Sequence, residues 1–177
     1  RGRADRFRFN LHRQRFVAAH GALRAILALY LGRPAADLRL GRGPGGKPLL
    51  LEPAASLDLR FNLAHSQDLA VCVVAQGAEV GVDVEAIRLV PGADEIAARF
   101  FSSREVALLR DLPADERDLA FFRAWTRKEA YLKALGEGLA RSLAGFSVAL
   151  QPDEPVRLLE VEGQPHEVER WSMAALH

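Results

Sequence analysis

Residues 12–31 place Phe16, Ala19, Leu23, Ile26, Leu27 and Tyr30 at helical spacing. Gly32 and then Pro34 predict where that helix stops. The segment GRGPGGKP at 41–48 is rich in turn formers. Residues 57–63 alternate apolar and polar, 70–75 form a short continuous apolar run, and EVGVDVE at 79–85 alternates again. All three read as strands. Helical patterning resumes from about Glu95 to Leu109, and again from Asp115 to Leu135, where Gly136 and Gly138 stop it. Three strand-like segments follow: FSVAL at 146–150, VRLLEVEG at 156–163 and VERWSMAALH at 168–177. Helix then strands, twice over, predicts an α+β fold of two similar halves with a boundary near residues 85–92.

Composition narrows the class. The chain has 177 residues, 49% of them hydrophobic, enough for a real core, and a net charge of +1. That balance gives no global drive toward nucleic acid or membrane, so neither is expected as a partner. Charge is uneven, however: residues 1–15 carry Arg1, Arg3, Arg6, Arg8, Arg13 and Arg15 against one acid, Asp5, so this segment could meet an anion. No apolar run approaches the roughly 20 residues of a membrane span, and no signal-peptide pattern is visible. Cys72 is the sole cysteine and cannot form an internal disulfide. A cytoplasmic protein is the resulting expectation. The chain starts at Arg1 without methionine, so a native N-terminus is expected upstream.

Lysine use is selective. The chain has three lysines among its 24 basic residues: Lys47 in GPGGKP, Lys128 in WTRKEA and Lys133 in YLKALGEG. Lysine is a compact, strongly hydrated point charge where arginine is a planar fork. Asp83 and Glu85 alternate with Val82 and Val84, so in a strand they share one face about 7 Å apart. Two carboxylates so placed can share a hard cation, or can line a solvated face. On the long helix, Trp125, Glu129 and Lys133 lie at i, i+4 and i+8 and share a face, while Lys128 is rotated by about 100°. A surface Glu–Lys pair is the plain reading; the tryptophan on the stripe argues for a cleft wall instead. Carboxylates for a cation and lysines for phosphate oxygens point to a magnesium-dependent enzyme acting on a phosphoanhydride.

Several alternatives drop out. Gly41–Lys47 satisfies G-x-x-x-x-G-K, but Pro48 stands where a P-loop needs Ser or Thr, and no amphipathic helix follows. The glycines still let backbone approach a ligand closely. His65 in FNLAHS has no second histidine or cysteine nearby for a metal site, and there is no G-x-S-x-G elbow. Glu105 in FFSSRE reads as a first-turn charge or as the capping-box partner of Ser102.

The order and spacing of FNLAHS, GVDVE, FFSSRE and WTRKEAYLKALGEGL resembles the 4′-phosphopantetheinyl transferases, of the larger type that activates peptide and polyketide synthases. The resemblance reaches from the arginine-rich start to about Val148. It implies a pseudo-dimer of two α+β halves, here residues 1–88 and 89–177, each a small antiparallel sheet packed with a long helix, with coenzyme A in the cleft. The implied reaction moves phosphopantetheine from coenzyme A to a carrier-protein serine and releases adenosine 3′,5′-bisphosphate. By the same resemblance, Asp83, Glu85 and Glu129 would bind Mg2+. Glu129, or a water on the metal, would take the serine proton. Lys133 and Lys128 would contact the pyrophosphate or steer the serine. Gly46, Lys47 and Pro48 would line the adenine end, and His65, Arg15 and Arg3 would hold the 3′-phosphate.

Two residues depart from the family pattern: Ala64 stands where a serine usually precedes the histidine, and Glu137 where a lysine usually separates the two glycines. The resemblance also implies a strand before the arginine-rich start and another after the last tryptophan, and neither is visible in this sequence. Two fused halves would let one chain build one site, so a monomer is expected. A non-catalytic coenzyme A or nucleotide-binding module of the same fold is the alternative reading.

Overall fold

The computed structural model describes residues 9–43, 45–51, 57–137 and 141–176. Arg3 and Gly138 lie outside them. The chain is α+β, with helices and small two-stranded antiparallel sheets. It divides into two compact units, one of Arg1–Val84 with Lys133–Gly138, the other of Glu85–Leu132 with Leu139–His177. Among the described residues, no helix is long and apolar enough to cross a membrane.

The first unit is built on helix α1, Asn10–Leu31. Ala19, Leu23 and Leu27 form its buried stripe at i, i+4 and i+8. Tyr30, grouped with that stripe by spacing, is exposed instead. Gly32 ends the helix in the left-handed conformation at φ 59°, and its N–H returns to the carbonyls of Ala28 and Leu29. Strand β1, Leu40–Arg42, pairs antiparallel with β2, Pro48–Leu50, around the glycine loop. Strand β3, Leu59–Ser66, pairs with β4, Leu69–Gln76, in unbroken register from Leu59↔Gln76 to Ser66↔Leu69. Leu23 and Leu27 of α1 meet Leu38, Leu50 and Phe61 in a buried cluster bordered by Leu31, Leu63 and Val74.

The EVGVDVE segment is not a ladder strand. Extended chain can carry an alternating sequence without a paired edge, and here the Asp83 side chain is buried as well as Val82. Val82 is buried, and its N–H donates to the buried Oδ1 of Asn62 on β3 at 3.1 Å. A side-chain amide does here what a neighbouring strand would do.

The second unit holds α2, Ala93–Phe100, α3, Ser103–Asp111, and all but the last turn of α4, Ala114–Leu135. The single helix expected over 95–109 is two. Phe101 leaves helical geometry at ψ 161°, and Ser102 starts α3 with a complete capping box to Glu105. Strand β5, Phe146–Val148, pairs with β6, Leu158–Val161, with a bulge between Ser147 and Val148. The last segment is not a strand: it forms one helical turn, α5, Glu167–Arg170, and then unpaired chain. Glu167 is the physical reason. Its buried carboxylate accepts from Trp171 Nε1 at 2.8 Å and from Arg170 Nη1 at 3.0 Å, which folds the chain back on itself.

Candidate active site

Lys133 sits on the last turn of α4. Its Nζ donates to Asp83 Oδ1 at 2.5 Å, across fifty positions of sequence. The Asp83 side chain is 7% exposed and that of Lys133 is 31% exposed. Two residues singled out for one phosphate-and-metal site are therefore in direct contact. An ammonium has three N–H groups, so one bond to Asp83 leaves donors for a ligand. Glu85 and Glu129 are half-buried.

The oxygen chemistry of Asp83, Glu85 and Glu129 suits a hard cation such as magnesium. Among the described residues, however, no three His, Cys, Asp or Glu side chains form a group able to hold a metal ion. The donor set fits in kind, and the Asp83 carboxylate is engaged by Lys133.

Lys47 closes the glycine loop. Its Nζ donates to Glu79 Oε2 at 2.6 Å and to the Ala134 carbonyl at 2.8 Å. Sequence reasoning missed Glu79, which also accepts from Arg60 Nε at 2.8 Å. Partial burial raises the Glu79 carboxyl, but the hydrogen bonds and charges of Lys47 and Arg60 outweigh it and hold the group below the usual carboxylate range. Gly46 adopts φ 83°, a conformation glycine reaches without steric cost, and Pro48 opens β2.

Arg15 and His65 line the same cavity, of about 440 Å³, between the first turns of α1 and the tip of the β3–β4 hairpin. Arg15 Nε donates to Asp68 Oδ1 at 2.9 Å. His65 is exposed and Ala64 is buried, as strand alternation requires. A serine hydroxyl at position 64 would therefore leave β3 on the face opposite His65.

Lys128, one residue before Glu129, has a different environment. It is fully buried in the second unit. Its Nζ donates to Glu105 Oε2 at 2.8 Å, to the Leu143 carbonyl at 2.8 Å and to the Phe146 carbonyl at 2.5 Å. All three ammonium protons are used within the protein. Burial pushes the Lys128 ammonium below its ordinary range, and the Glu105 carboxylate pulls the other way. Glu105 is equally satisfied: Oε2 accepts from Ser102 N at 2.9 Å and Ser102 Oγ at 3.0 Å, and Oε1 accepts from Val148 N at 2.8 Å. Ser147 Oγ completes the cluster with a bond to Ser102 Oγ at 2.9 Å. Trp125 is half-buried, stacked on Phe121 at 5.9 Å and beside Phe101 at 6.3 Å.

A family model described as the 4′-phosphopantetheinyl transferase superfamily matches residues 79–175. A 4′-phosphopantetheinyl transferase of a Nostoc species, HetI, is 46% identical over 156 residues, covering 88% of this chain and 65% of that protein. A putative 4′-phosphopantetheinyl transferase of Synechocystis is 31% identical over 173 residues, covering 98% of this chain and 68% of that protein. The 4′-phosphopantetheinyl transferase Sfp of Bacillus subtilis is 31% identical over 136 residues, covering 77% of this chain and 58% of that protein. The chain thus spans between 58% and 68% of the length of these three relatives.

Proposed function

The chain belongs to the 4′-phosphopantetheinyl transferase superfamily, and on that premise we propose that it transfers 4′-phosphopantetheine from coenzyme A to a serine of an apo acyl or peptidyl carrier protein. The observation that carries this reading is the 2.5 Å contact between Lys133 and Asp83. It joins an ammonium of the kind that meets phosphate oxygens to a carboxylate of the kind that holds a hard cation.

The serine oxygen of the carrier forms a bond to the β-phosphorus, and the bridging P–O bond breaks. Adenosine 3′,5′-bisphosphate leaves with that bond's electron pair. Lys133 holds charge on the phosphoryl oxygens as it develops, and the Glu129 carboxylate takes the serine proton. Asp83, Glu85 and Glu129 are the carboxylates that would hold magnesium, which when bound offsets pyrophosphate charge. The nucleophile belongs to the carrier, so this chain needs no triad of its own. Gly46, Lys47 and Pro48 would line the adenine end. Lys128 supports α4 from the interior rather than meeting the ligand, because its three protons are already committed.

Arg15 and His65 would receive the 3′-phosphate in their shared cavity. Dephospho-coenzyme A is then expected to bind more weakly than coenzyme A by about 1.5–3 kcal/mol for each charge-assisted bond lost. Calorimetric titration of both ligands checks this. Equal affinities would mean that the 3′-phosphate is not read at Arg15 and His65.

A further inference from the structure

Helix α4 ends at Leu135, and the carbonyls of a helix's last turn have no partner within the helix. The Ala134 carbonyl is one of these, and its partner is Lys47 Nζ at 2.8 Å, from a loop 87 positions away in sequence. A cation at a helix C-terminus also meets the negative end of the helix dipole. A second bond joins the same two pieces of chain: Gly45 N donates to the Gly136 carbonyl at 3.0 Å. Gly136 has φ 71°, and a Cβ there would stand 3.2 Å from Lys47 Cδ, so the lysine stem packs against a residue with no side chain. The Lys47 side chain is 13% exposed, and Glu79 Oε2 holds its ammonium from the other side at 2.6 Å. Lys133 immediately precedes Ala134, and its own ammonium reaches Asp83 at 2.5 Å.

We infer that Lys47 is a positioning residue: it caps the last turn of α4 from the glycine loop and so fixes the turn that presents Lys133 to Asp83. The loop expected to receive the adenine end of coenzyme A is then part of the mounting of the lysine at the phosphoryl group. Removing Lys47 acts on turnover as well as on coenzyme A binding. The kinetic half of this inference rests on the transferase reading above, and the capping half does not.

Hydrogen exchange of the full chain, without coenzyme A or carrier, tests the cap. Lys47→Met is expected to speed exchange of the amides of residues 133–136 about tenfold or more, because a charge-assisted bond holding that turn is gone. Amides of the buried α1 stripe should keep their rates. Lys47→Arg, which can still donate to the Ala134 carbonyl, should stay near wild type. Glu79→Gln, which removes the ion pair but leaves the cap, should change the same amides by less than about threefold. Unchanged exchange at 133–136 in Lys47→Met would overturn the cap.

In transfer assays Lys47→Met is expected to lower kcat, with Lys47→Arg restoring most of it. A rise in KM with kcat intact would overturn the positioning role and leave Lys47 as a plain ligand contact. An inactive wild-type chain would count against the transferase reading alone, because the exchange result judges the cap independently.

Discussion

Lys133→Ala is expected to lower kcat for transfer from coenzyme A by about 10²–10³-fold, with a smaller change in KM. The ammonium is held at 2.5 Å from Asp83 with its side chain 31% exposed, so it is anchored yet still reachable. Anchoring matters because a preorganised donor costs no rearrangement as charge builds on the phosphoryl oxygens. A contact that strengthens in the transition state lowers kcat when removed, whereas one used equally in ground and transition states raises KM. Lys133→Arg should restore little, because a planar fork does not replace a point charge at close quarters. Asp83→Ala should abolish transfer as well, with the far-ultraviolet spectrum unchanged. Steady-state kinetics at saturating magnesium checks both variants. A Lys133→Ala enzyme with only KM raised would make Lys133 a binding residue. Full magnesium-dependent activity in Asp83→Ala would remove that carboxylate from the site.

Glu105→Ala is expected to destabilise the chain by about 3–5 kcal/mol, since it leaves the buried Lys128 charge uncompensated. The same carboxylate also caps α3 and accepts the Val148 N–H, so three kinds of structure lose a partner together. A buried pair is not itself strong evidence of stability, because replacing both charges by apolar groups of similar size is often neutral. The double variant Glu105→Leu with Lys128→Met should therefore be more stable than Glu105→Ala alone, although it still loses the capping box. Urea unfolding of the three proteins checks this. A Glu105→Ala protein within about 1 kcal/mol of wild type would mean that water reaches Lys128 and that the pair is not a structural anchor.

The long helices were legible in the sequence because each buries one stripe over many turns. The i, i+4, i+8 spacing of Ala19, Leu23 and Leu27 survives directly as the buried face of α1. Segment 79–85 alternates in sequence but is unpaired extended chain, because alternation does not report pairing. The Val82 N–H is met by the side-chain amide of Asn62, which no periodicity announces. The break in the second helical stretch was visible in part. Ser102 and Glu105 carry the spacing of a capping box, but the apolar pattern runs on through Phe100 and Phe101 and hides the interruption. The C-terminal segment was lost to a local effect, the Glu167 carboxylate gathering Trp171 and Arg170.

Among the candidate site residues, the helix geometry separated Lys128 from Lys133 by face. It could not say that one face is the interior, where Lys128 meets Glu105, and the other the approach to Asp83. The partner of Lys47 was out of reach of pattern reasoning, because a backbone carbonyl of α4 leaves no mark in composition.

The most direct measurement is the intact mass of an apo carrier protein incubated with this chain, coenzyme A and magnesium. Transferase activity predicts that the carrier gains the mass of one 4′-phosphopantetheine on its serine, that adenosine 3′,5′-bisphosphate appears in equal amount, and that Lys133→Ala slows both. Coenzyme A bound with no change in carrier mass would contradict it, and would describe a binding module in place of a transferase.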